Sequence, residues 1–508
     1  MSDAELLAAL VCDAHVDAEA PPAPALARRS PSAEPARLRP LQRLQMLCDE
    51  GSLHVLRSGI MSGSMGEKAR VGDGVVAASG RVGGRPIFCF AQDSAFAGGS
   101  LGAAHADSIV RVQRLARRAR VPVIGFVESG GARMQEGTAA LNGYGRIFYE
   151  HVAMSGDLPQ ISVITGTSAG GGCYSPALTD FVVMTGAAAM FLTGPSVVRE
   201  VTGEDVTTAD LGGPDVHARN GVCQFAVDTD LDAIQVVRRL LSYLPQSAGA
   251  PLPTTATSEP SGPDPGTCVP LDGRRVYDVR EPLAGIVDAD SILELAPQWA
   301  ENLVTAFARI EGAPVGIVAN QPRNMGGVID AEASQKGARF VRLCNAFGIP
   351  LVVLVDTPGF LPGSSQERIG VIRHGAKLLH AFAEASVPRI TVVLRKAFGG
   401  AYITMNSRDI GADLTLAWTR AEIGIMGAEQ AVGVVHKRRL AEATDPADER
   451  RRLAEDYAAR HLGAKAAARD GHIDEVILPG DTRPRLAAAL AALPLDADRR
   501  TRVRNIPL

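Results

Sequence analysis

The 508-residue chain contains few aromatic residues and no closely spaced cysteines. Phe, Trp and Tyr make up 5% of the sequence, and its seven cysteines never form a Cys-x-x-Cys pair. This pattern argues against a disulfide framework and against a zinc ribbon. No apolar run approaches the ~18–20 residues that a membrane-spanning helix needs. The N-terminus carries Asp3 and Glu5 and lacks the basic leader of a secretory signal, so we expect a cytoplasmic protein.

The sequence also lacks a strong charge of either sign. Its formal net charge is −4, which provides no basic field for holding nucleic acid. It has no Gly-x-x-x-x-Gly-Lys phosphate loop and no His-Glu-x-x-His zinc motif, and its ten histidines are dispersed, so we predict no metal site. With 46% hydrophobic and 21% charged residues, the composition is that of a globular protein.

Two proline-rich stretches divide the chain. Residues 17–40 combine proline with Ala, Ser and Arg, and residues 251–270 combine it with Thr, Ser and Gly. Such compositions are typical of extensions and linkers. We therefore predict an extension over residues 1–39, a first domain over 40–250, a linker over 251–270 and a second domain over 271–508.

The two predicted domains repeat one another. Pro86 and Pro314 stand 228 residues apart, as do Pro122 and Pro350, and Pro159 and Pro388 stand 229 apart. Each pair marks the same kind of strand, and chance similarity would not hold one register over so long a span. Short β-branched runs alternate with amphipathic helices in both halves, which predicts an α/β fold with mostly parallel strands.

Equivalent glycine-rich turns follow equivalent strands in the two halves. They lie within Thr165–Tyr174 and Arg395–Tyr402, and a second pair, Glu128–Gly137 and Asp356–Gly363, is expected to flank the same clefts. Glycine there could simply allow helix and sheet to pack closely. Two equivalent turns favour the other interpretation, in which bare backbone N–H groups bind an oxyanion. Because the chain shows no evident nucleophile or metal site, we interpret the pair as machinery for enolate chemistry on a thioester.

These turns stand among motifs of a known family. The chain resembles the carboxyltransferase β subunit of biotin-dependent acyl-CoA carboxylases, the acetyl-/propionyl-CoA carboxylase group of the crotonase superfamily. The resemblance spans roughly residues 40–490 and is carried by AQDSAFAGGSLG (91–102), ESGGARMQEG (128–137), GTSAGGGCYSPALTDFVVM (166–184), ANQP (319–322), DTPGFLPG (356–363), RHGAKLL (373–379), FGGAYITM (398–405) and AEIGIMGAEQAV (421–432).

The resemblance implies an α/β fold of two duplicated crotonase-like domains, each a spiral of ββα units. It also implies a homo-oligomer, usually a hexamer, whose active sites lie where the first domain of one subunit faces the second domain of another. Acyl-CoA would bind mainly to the first domain and carboxybiotin to the second. The implied catalytic backbone donors are Gly170 and Gly171 for the thioester, and Gly400 and Ala401 for biotin. The implied substrate-binding residues are Gly130, Gly131, Ala132, Arg133, Tyr174 and Ile403; the implied biotin-binding residues are Phe360, Gly399, Gly400 and Ala401.

The implied reaction moves a carboxyl group from carboxybiotin to the α-carbon of a short-chain acyl-CoA, acetyl- or propionyl-CoA. In the family, biotin itself takes the α-proton, so no protein side chain is needed as general base. No Met-Lys pair occurs in this sequence. The biotin must therefore come from a partner, a biotin carboxylase/biotin carboxyl carrier subunit. We expect neither nucleic acid nor a membrane as a partner.

Two alternatives stay open at this stage. The chain could be the carboxyltransferase subunit of a biotin-dependent decarboxylase or transcarboxylase, because the half-reaction is the same in reverse. It could also be a non-catalytic scaffold for the carrier protein, which the intact glycine turns argue against. Two departures from the family pattern bear on specificity: Ala97 replaces a Phe, and Ile403 stands where members carry either an acidic or an aliphatic residue.

Overall fold

The computed structural model describes residues 37–493. Most of the predicted extension over residues 1–39, and the last residues of the predicted second domain, lie outside this range. Within it the chain forms two α/β units, a first unit (residues 40–243) and a second unit (residues 265–492), each built on its own sheet. The predicted α/β class and the duplication are confirmed, while the domain boundaries remain predictions.

The sheet of the first unit runs in the order β1-β2-β3-β4-β5-β6-β8, and β7 also pairs with β5. β1–β3 pair antiparallel and the other pairs are parallel. Its strands are β1 His54–Leu56, β2 Val75–Val82, β3 Arg85–Gln92, β4 Val123–Ser129, β5 Gln160–Ala169, β6 Phe181–Thr185, β7 Ala189–Phe191 and β8 Phe225–Val227. Its helices are α1 Pro40–Leu47, α2 Ala103–Ala119, α3 Thr138–Met154, α4 Gly171–Ala177, α5 Pro195–Thr202, α6 Thr208–Gly212, α7 Pro214–Arg219 and α8 Asp230–Tyr243.

The second sheet has the same topology, in the order β9-β10-β11-β12-β13-β14-β16, with β15 paired to β13. Its strands are β9 Leu293–Leu295, β10 Leu303–Ile310, β11 Ala313–Asn320, β12 Leu351–Thr357, β13 Arg389–Phe398, β14 Leu414–Trp418, β15 Glu422–Gly424 and β16 Glu475–Ile477. The helices of this unit are α9 Pro265–Cys268, α10 Arg280–Ala284, α11 Ala331–Phe347, α12 Ser364–Ile369, α13 Val371–Glu384, α14 Gly399–Thr404, α15 Ala428–Val435, α16 Lys437–Glu442, α17 Pro446–Tyr457, α18 Ala464–Arg469 and α19 Thr482–Ala492.

The repeat extends to local irregularities of the backbone. The pairing of β4 with β5 shifts register at Glu128, and that of β12 with β13 shifts at Asp356, 228 residues later. Such bulges re-aim the chain at the end of a strand and are common beside active sites. In the central strands β4 and β12 every residue is buried, because helices cover both faces of a parallel sheet.

The two units share one hydrophobic core. Phe307 on β10 lies at their junction, with its ring centroid 6.2 Å from that of Phe181 in the first unit and 5.3 Å from that of Phe340 on α11. Tyr243 at the end of α8 stacks on the same ring at 5.7 Å. Aromatic contacts of this kind stabilise packed layers beyond simple area burial, so they hold the units together.

The predicted linker lies against the second unit. Residues 251–264 form no helix or strand. Thr255 N–H donates to the Gly312 carbonyl at 3.0 Å, and Arg309 Nη1 donates to the Pro253 carbonyl at 2.9 Å. The proline-rich composition therefore marks the absence of regular structure, but the segment is docked on the protein.

Candidate active site

The first unit presents backbone donors at the turn between β5 and α4, residues Ala169–Gly172, called the first turn below. Gly170 has φ of 56°, in the left-handed region that favours glycine, and its N–H donates to the Phe191 carbonyl at 3.1 Å. Among the described residues, the N–H groups of Gly171 and Gly172 have no acceptor, as is usual at the start of a helix. The donors that this turn offers are therefore Gly171 and Gly172, and Gly170 N–H is already used.

The equivalent second turn comprises Phe398–Ala401. Gly399 repeats the left-handed geometry of Gly170, with φ of 60°. Within residues 37–493, no acceptor is bound by the N–H groups of Gly400 and Ala401, and Gly400 is exposed. Gly171 and Gly172 thus correspond to Gly400 and Ala401. The pair predicted for the thioester, Gly170 and Gly171, is one residue out of step with the pair predicted for biotin.

Tyr144 on α3 packs against the first turn. A methyl group built on Gly171 would lie 2.9 Å from the Tyr144 ring, so only glycine fits between the ring and the turn. The Tyr144 hydroxyl and Ser129 Oγ are 2.9 Å apart, and Ser168 Oγ donates to the Gly172 carbonyl at 2.8 Å. Burial raises the pKa of Tyr144 to about 12. These contacts hold the turn in one conformation, as a preorganised donor site requires.

Two loops complete the wall of the first turn. The loop after β4 approaches it, because a methyl group built on Gly131 would lie 3.6 Å from the Ala169 carbonyl oxygen. Gly130 N–H donates to the Gly98 carbonyl at 3.0 Å, which ties in the loop after β3. In that loop Ala97 has φ of 48°, and its equivalent Met325 has φ of 50°. Positive φ at two equivalent non-glycine residues marks backbone strain beside both turns.

The comparisons with known proteins agree on one family. The model of the carboxyl transferase domain matches residues 33–505. The chain belongs to the carboxyl transferase family. It is 44% identical over 472 residues to the "biotin-dependent acetyl-/propionyl-coenzyme A carboxylase beta5 subunit" of Mycobacterium tuberculosis, covering 89% of this chain and 86% of that protein. It is also 44% identical over 479 residues to the "methylmalonyl-CoA decarboxylase subunit alpha" of Veillonella parvula, covering 92% of each.

A solved structure of the transcarboxylase 12S hexamer, with methylmalonyl-coenzyme A and methylmalonic acid bound, matches with a TM-score of 0.87. It is 44% identical in sequence, and the match covers 92% of both chains. The predicted resemblance and the fold class, an α/β protein of two duplicated crotonase-like domains, are thereby confirmed. The chain is accordingly a carboxyltransferase, as the motifs predicted.

The predicted site residues of this carboxyl transferase differ in how exposed they are. Gly130 is exposed, Ala132 is partly exposed and Tyr174 is 52% exposed, so a ligand can reach all three. Ile403 on α14 is 43% exposed beside the second turn. Phe360 is partly exposed, and a methyl group built on Gly400 would lie 3.9 Å from its ring.

Arg133 was predicted to bind substrate, but its side chain has no exposed surface that a substrate could contact. Its Nη1 lies 2.6 Å from Asp73 Oδ1 and 2.9 Å from Glu136 Oε1, and its Nη2 donates to the Ser100 carbonyl at 3.0 Å. Burial raises the pKa of Asp73 despite the guanidinium beside it. Burial also acts on Glu136, but hydrogen bonds from Ala103 N–H, Ser62 and Arg133 bring the pKa of that carboxyl below its usual value. Arg133 ties the loops of the first site together from inside.

Two segments of the carboxyl transferase match the Gly-x-Ser-x-Gly pattern of serine hydrolases, Gly98–Gly102 and Gly166–Gly170. Neither presents a nucleophile. Ser168 is fully buried, as is usual for a structural serine, and Ser100 Oγ donates to the Ala97 carbonyl at 2.7 Å. His151 is buried between Gln160 Oε1 at 2.6 Å and Ser175 Oγ at 2.9 Å, and burial lowers its pKa to about 4. It is a neutral packing residue.

Sequence reasoning missed Tyr144, Ser129 and Gly375, which shape the turns from neighbouring elements. The offset of 228–229 in the sequence aligns Tyr144 with residues 372–373, so it gave no signal; the equivalence of Tyr144 with Gly375 comes from the buried positions of α3 and α13. Among residues 37–493, no three His, Cys, Asp or Glu side chains are grouped so that they could hold a metal ion. No helix in that range is long and apolar enough to cross a membrane.

Proposed function

We propose that this chain transfers a carboxyl group between carboxybiotin on a separate carrier protein and the α-carbon of acetyl- or propionyl-CoA. The observation that carries the proposal is the pair of equivalent turns, each with two adjacent N–H groups that have no acceptor among the described residues. Two reacting carbonyl groups need two donor sites, one for the thioester and one for the ureido group. A single-substrate hydrolase or isomerase would need only one.

In this proposal the N–H groups of Gly171 and Gly172 bind the thioester oxygen. When the α-proton leaves, negative charge develops on that oxygen, and a preorganised donor stabilises it more than it stabilises the ground state. Losing one such donor costs about 2.7–4 kcal/mol of transition-state stabilisation in comparable enzymes. Tyr144 and Ser129 would contribute by preventing the turn from relaxing.

On the other side, Gly400 and Ala401 would bind the ureido oxygen of biotin, and Phe360 and Gly399 would line its site. The residues fit this group: within residues 37–493 the N–H groups of Gly400 and Ala401 have no acceptor, Gly400 is exposed, and the partly exposed Phe360 ring offers an apolar surface beside it. Carboxybiotin supplies the carboxyl group. The chain's own contribution is to hold the two oxygens and keep water out.

We propose a homo-oligomer, a hexamer like that of the transcarboxylase relative, in which the first turn of one subunit meets the second turn of another. Large apolar side chains exposed in both units support this arrangement, because monomeric proteins rarely expose many of them together. These side chains are Met134, Tyr174 and Leu192 in the first unit, and Ile372, Ile403 and Ile425 in the second. We place the enzyme in the cytoplasm, which fits the free thiols of the six described cysteines.

The direction of transfer is the second question, since relatives include a carboxylase, a decarboxylase and a transcarboxylase. The structural match to a transcarboxylase core favours that class as the alternative. The deciding experiment is to purify the chain with its biotin-carrying partner and to assay bicarbonate- and ATP-dependent carboxylation of acetyl-, propionyl- and butyryl-CoA. Transfer from methylmalonyl-CoA to free biotin is measured in parallel. A folded oligomer that transfers a carboxyl group in neither direction refutes the proposal.

A further inference from the structure

The aromatic ring beside each turn comes from a different element in the two units. In the first unit it is Tyr144 on α3, whose ring lies 2.9 Å from a methyl group built on Gly171. The buried positions of α3 and α13 superpose with an offset of 231, which places Gly375 at the position of Tyr144. The helix of the second unit therefore carries no side chain where the helix of the first unit carries a ring.

The loops that follow β4 and β12 differ in the opposite sense, because here the second unit carries the ring and the first unit does not. Leu101 bridges to Ala132 in the first unit and Ile329 bridges to Phe360 in the second, and both pairs are 228 residues apart. Phe360 thus stands where the first unit has only a methyl group. A methyl group built on Gly375 would lie 3.0 Å from the Phe360 ring, so the missing helix side chain makes room for the ring on the loop.

Because the ring comes from a helix in one unit and from a loop in the other, a ligand contacts different side chains at the two turns. Tyr144 is 5% exposed, with its hydroxyl bonded to Ser129, so its ring supports the first turn from beneath. Beside that turn, the partly exposed Ala132 contributes only a methyl group. Phe360 is partly exposed, and its ring edge lies 3.9 Å from a methyl group built on the exposed Gly400. The loop beside the second turn consequently places an aromatic ring next to Gly400, whereas the loop beside the first turn carries only the methyl group of Ala132; the exposed Tyr174 ring of the first unit comes from α4 instead.

We propose that the Ala132/Phe360 difference determines which ligand each of the two duplicated turns accepts. The small side chain of Ala132 leaves room beside the first turn for the flexible acyl-thioester arm. The ring at the second turn packs against a compact, rigid heterocycle such as the fused rings of biotin, since an aromatic ring offers a large apolar surface at little conformational cost. This inference rests on the proposed function and adds the residues that distinguish its two sites.

The test uses four variants of the full oligomeric chain and two probes. Propionyl-CoA binding is measured by calorimetry, and the KM for free biotin is measured in transfer from methylmalonyl-CoA. Phe360→Ala should raise the KM for biotin about tenfold or more, equivalent to losing one good stacking contact, and leave the Kd of propionyl-CoA unchanged. Ala132→Phe should weaken propionyl-CoA binding and leave the biotin KM unchanged. The introduced ring would meet that of Tyr144. The double variant A132F/Y144G removes this clash by copying into the first unit the phenylalanine and glycine that the second unit has at these positions, and its propionyl-CoA binding is measured in the same way.

Leu361→Ala is the matched control, because it removes a side chain of similar size one residue along the same loop. It should change neither constant, and thermal melting confirms that every variant is folded. The inference is overturned if Phe360→Ala leaves the biotin KM unchanged or changes both constants equally. It is also overturned if both the single and the double variants at Ala132 bind propionyl-CoA normally. A folded wild-type oligomer that binds propionyl-CoA but transfers no carboxyl group would instead refute the proposed function, and this inference with it.

Discussion

Arg133 Nη1 lies 2.6 Å from Asp73 Oδ1, and neither side chain has any exposed surface. The motif that contains Arg133 pointed to a substrate-binding role, yet the guanidinium faces inward. It bridges the loop after β4 to the chain before β2, and through the Ser100 carbonyl to the loop after β3. The pair therefore acts on the first turn through the loops that form its wall.

The burial of this pair predicts a large effect on stability. Arg133→Met should destabilise the folded chain by about 3–5 kcal/mol, because it leaves the buried carboxylates of Asp73 and Glu136 without their cation. Denaturant unfolding measures the change. The double variant D73N/R133M should recover part of the loss. An R133M variant of normal stability with a raised KM for acyl-CoA would contradict this and return Arg133 to the substrate.

Gly171 should not tolerate a side chain. Gly171→Val forces its Cβ against the Tyr144 ring, displaces the donors of the first turn and blocks the thioester, so kcat should fall by about 10²–10³ or more. Carboxyl transfer is assayed alongside thermal melting. Gly145→Ala is the control, because a methyl group there meets no atom within 4 Å. Near-normal turnover by a folded Gly171→Val enzyme would show that this turn does not bind the thioester.

Ile403 should influence acyl preference. Its side chain is 43% exposed in the single chain, so Asp at this position should not unfold the subunit, and light scattering checks that the oligomer still forms. If Ile403 lines the acyl pocket, the kcat/KM values of the wild-type enzyme for acetyl-, propionyl- and butyryl-CoA should differ by no more than about 10–200-fold per methylene. The I403D variant should change the order of preference among these three substrates. Its KM for biotin should stay unchanged. An unaltered acyl profile in folded I403D would exclude a role in specificity.

The buried histidines predict acid sensitivity. Burial lowers the pKa of His105 to about 3 and of His151 to about 4, against 6.5 for the ordinary group. Below pH 6.5 the unfolded chain therefore binds protons that the folded chain does not, and stability falls as the pH drops towards these values. Urea titrations at neutral pH and at about pH 5 measure the slope. His151→Asn should flatten it, and the same change at the exposed His54 should not.

Assembly and activity should be lost together. If each active site needs the first turn of one subunit and the second turn of another, dilution that dissociates the oligomer also removes carboxyl transfer. Light scattering and initial rates, measured over one dilution series, follow the two properties side by side. A stable monomer that retains full activity would contradict the proposed interface.

The duplicated α/β fold and the position of both glycine turns were predictable from the sequence. The nearly constant spacing between equivalent prolines, each beside a strand, reveals the duplication over the whole chain. The alternation of apolar runs predicts the individual strands and helices. The turns follow from the same logic, because glycine at positive φ after a strand leaves few other conformations. The one-residue displacement between the two predicted donor pairs also lies in the sequence, because the offset of 229 between Pro159 and Pro388 aligns Gly171 with Gly400. Only the structure shows the hydrogen bond from Gly170 N–H to Phe191, which lies on a different strand, so that Gly170 N–H is already used.

Which side chains support and surround the turns was decided only by tertiary structure. Arg37 occupies the space above Gly166, and Arg395 takes the equivalent position of the second unit. The cations beside Glu128 therefore come from the chain before α1 and from Arg43 on α1, whereas the one beside Asp356 comes from β13. The aromatic ring beside each turn likewise comes from different elements, from α3 in the case of Tyr144 and from the loop after β12 in the case of Phe360. Local sequence specifies the path of the backbone. The volume that a residue may fill depends on elements far away in sequence, and equivalent space in two repeats can be filled from either side.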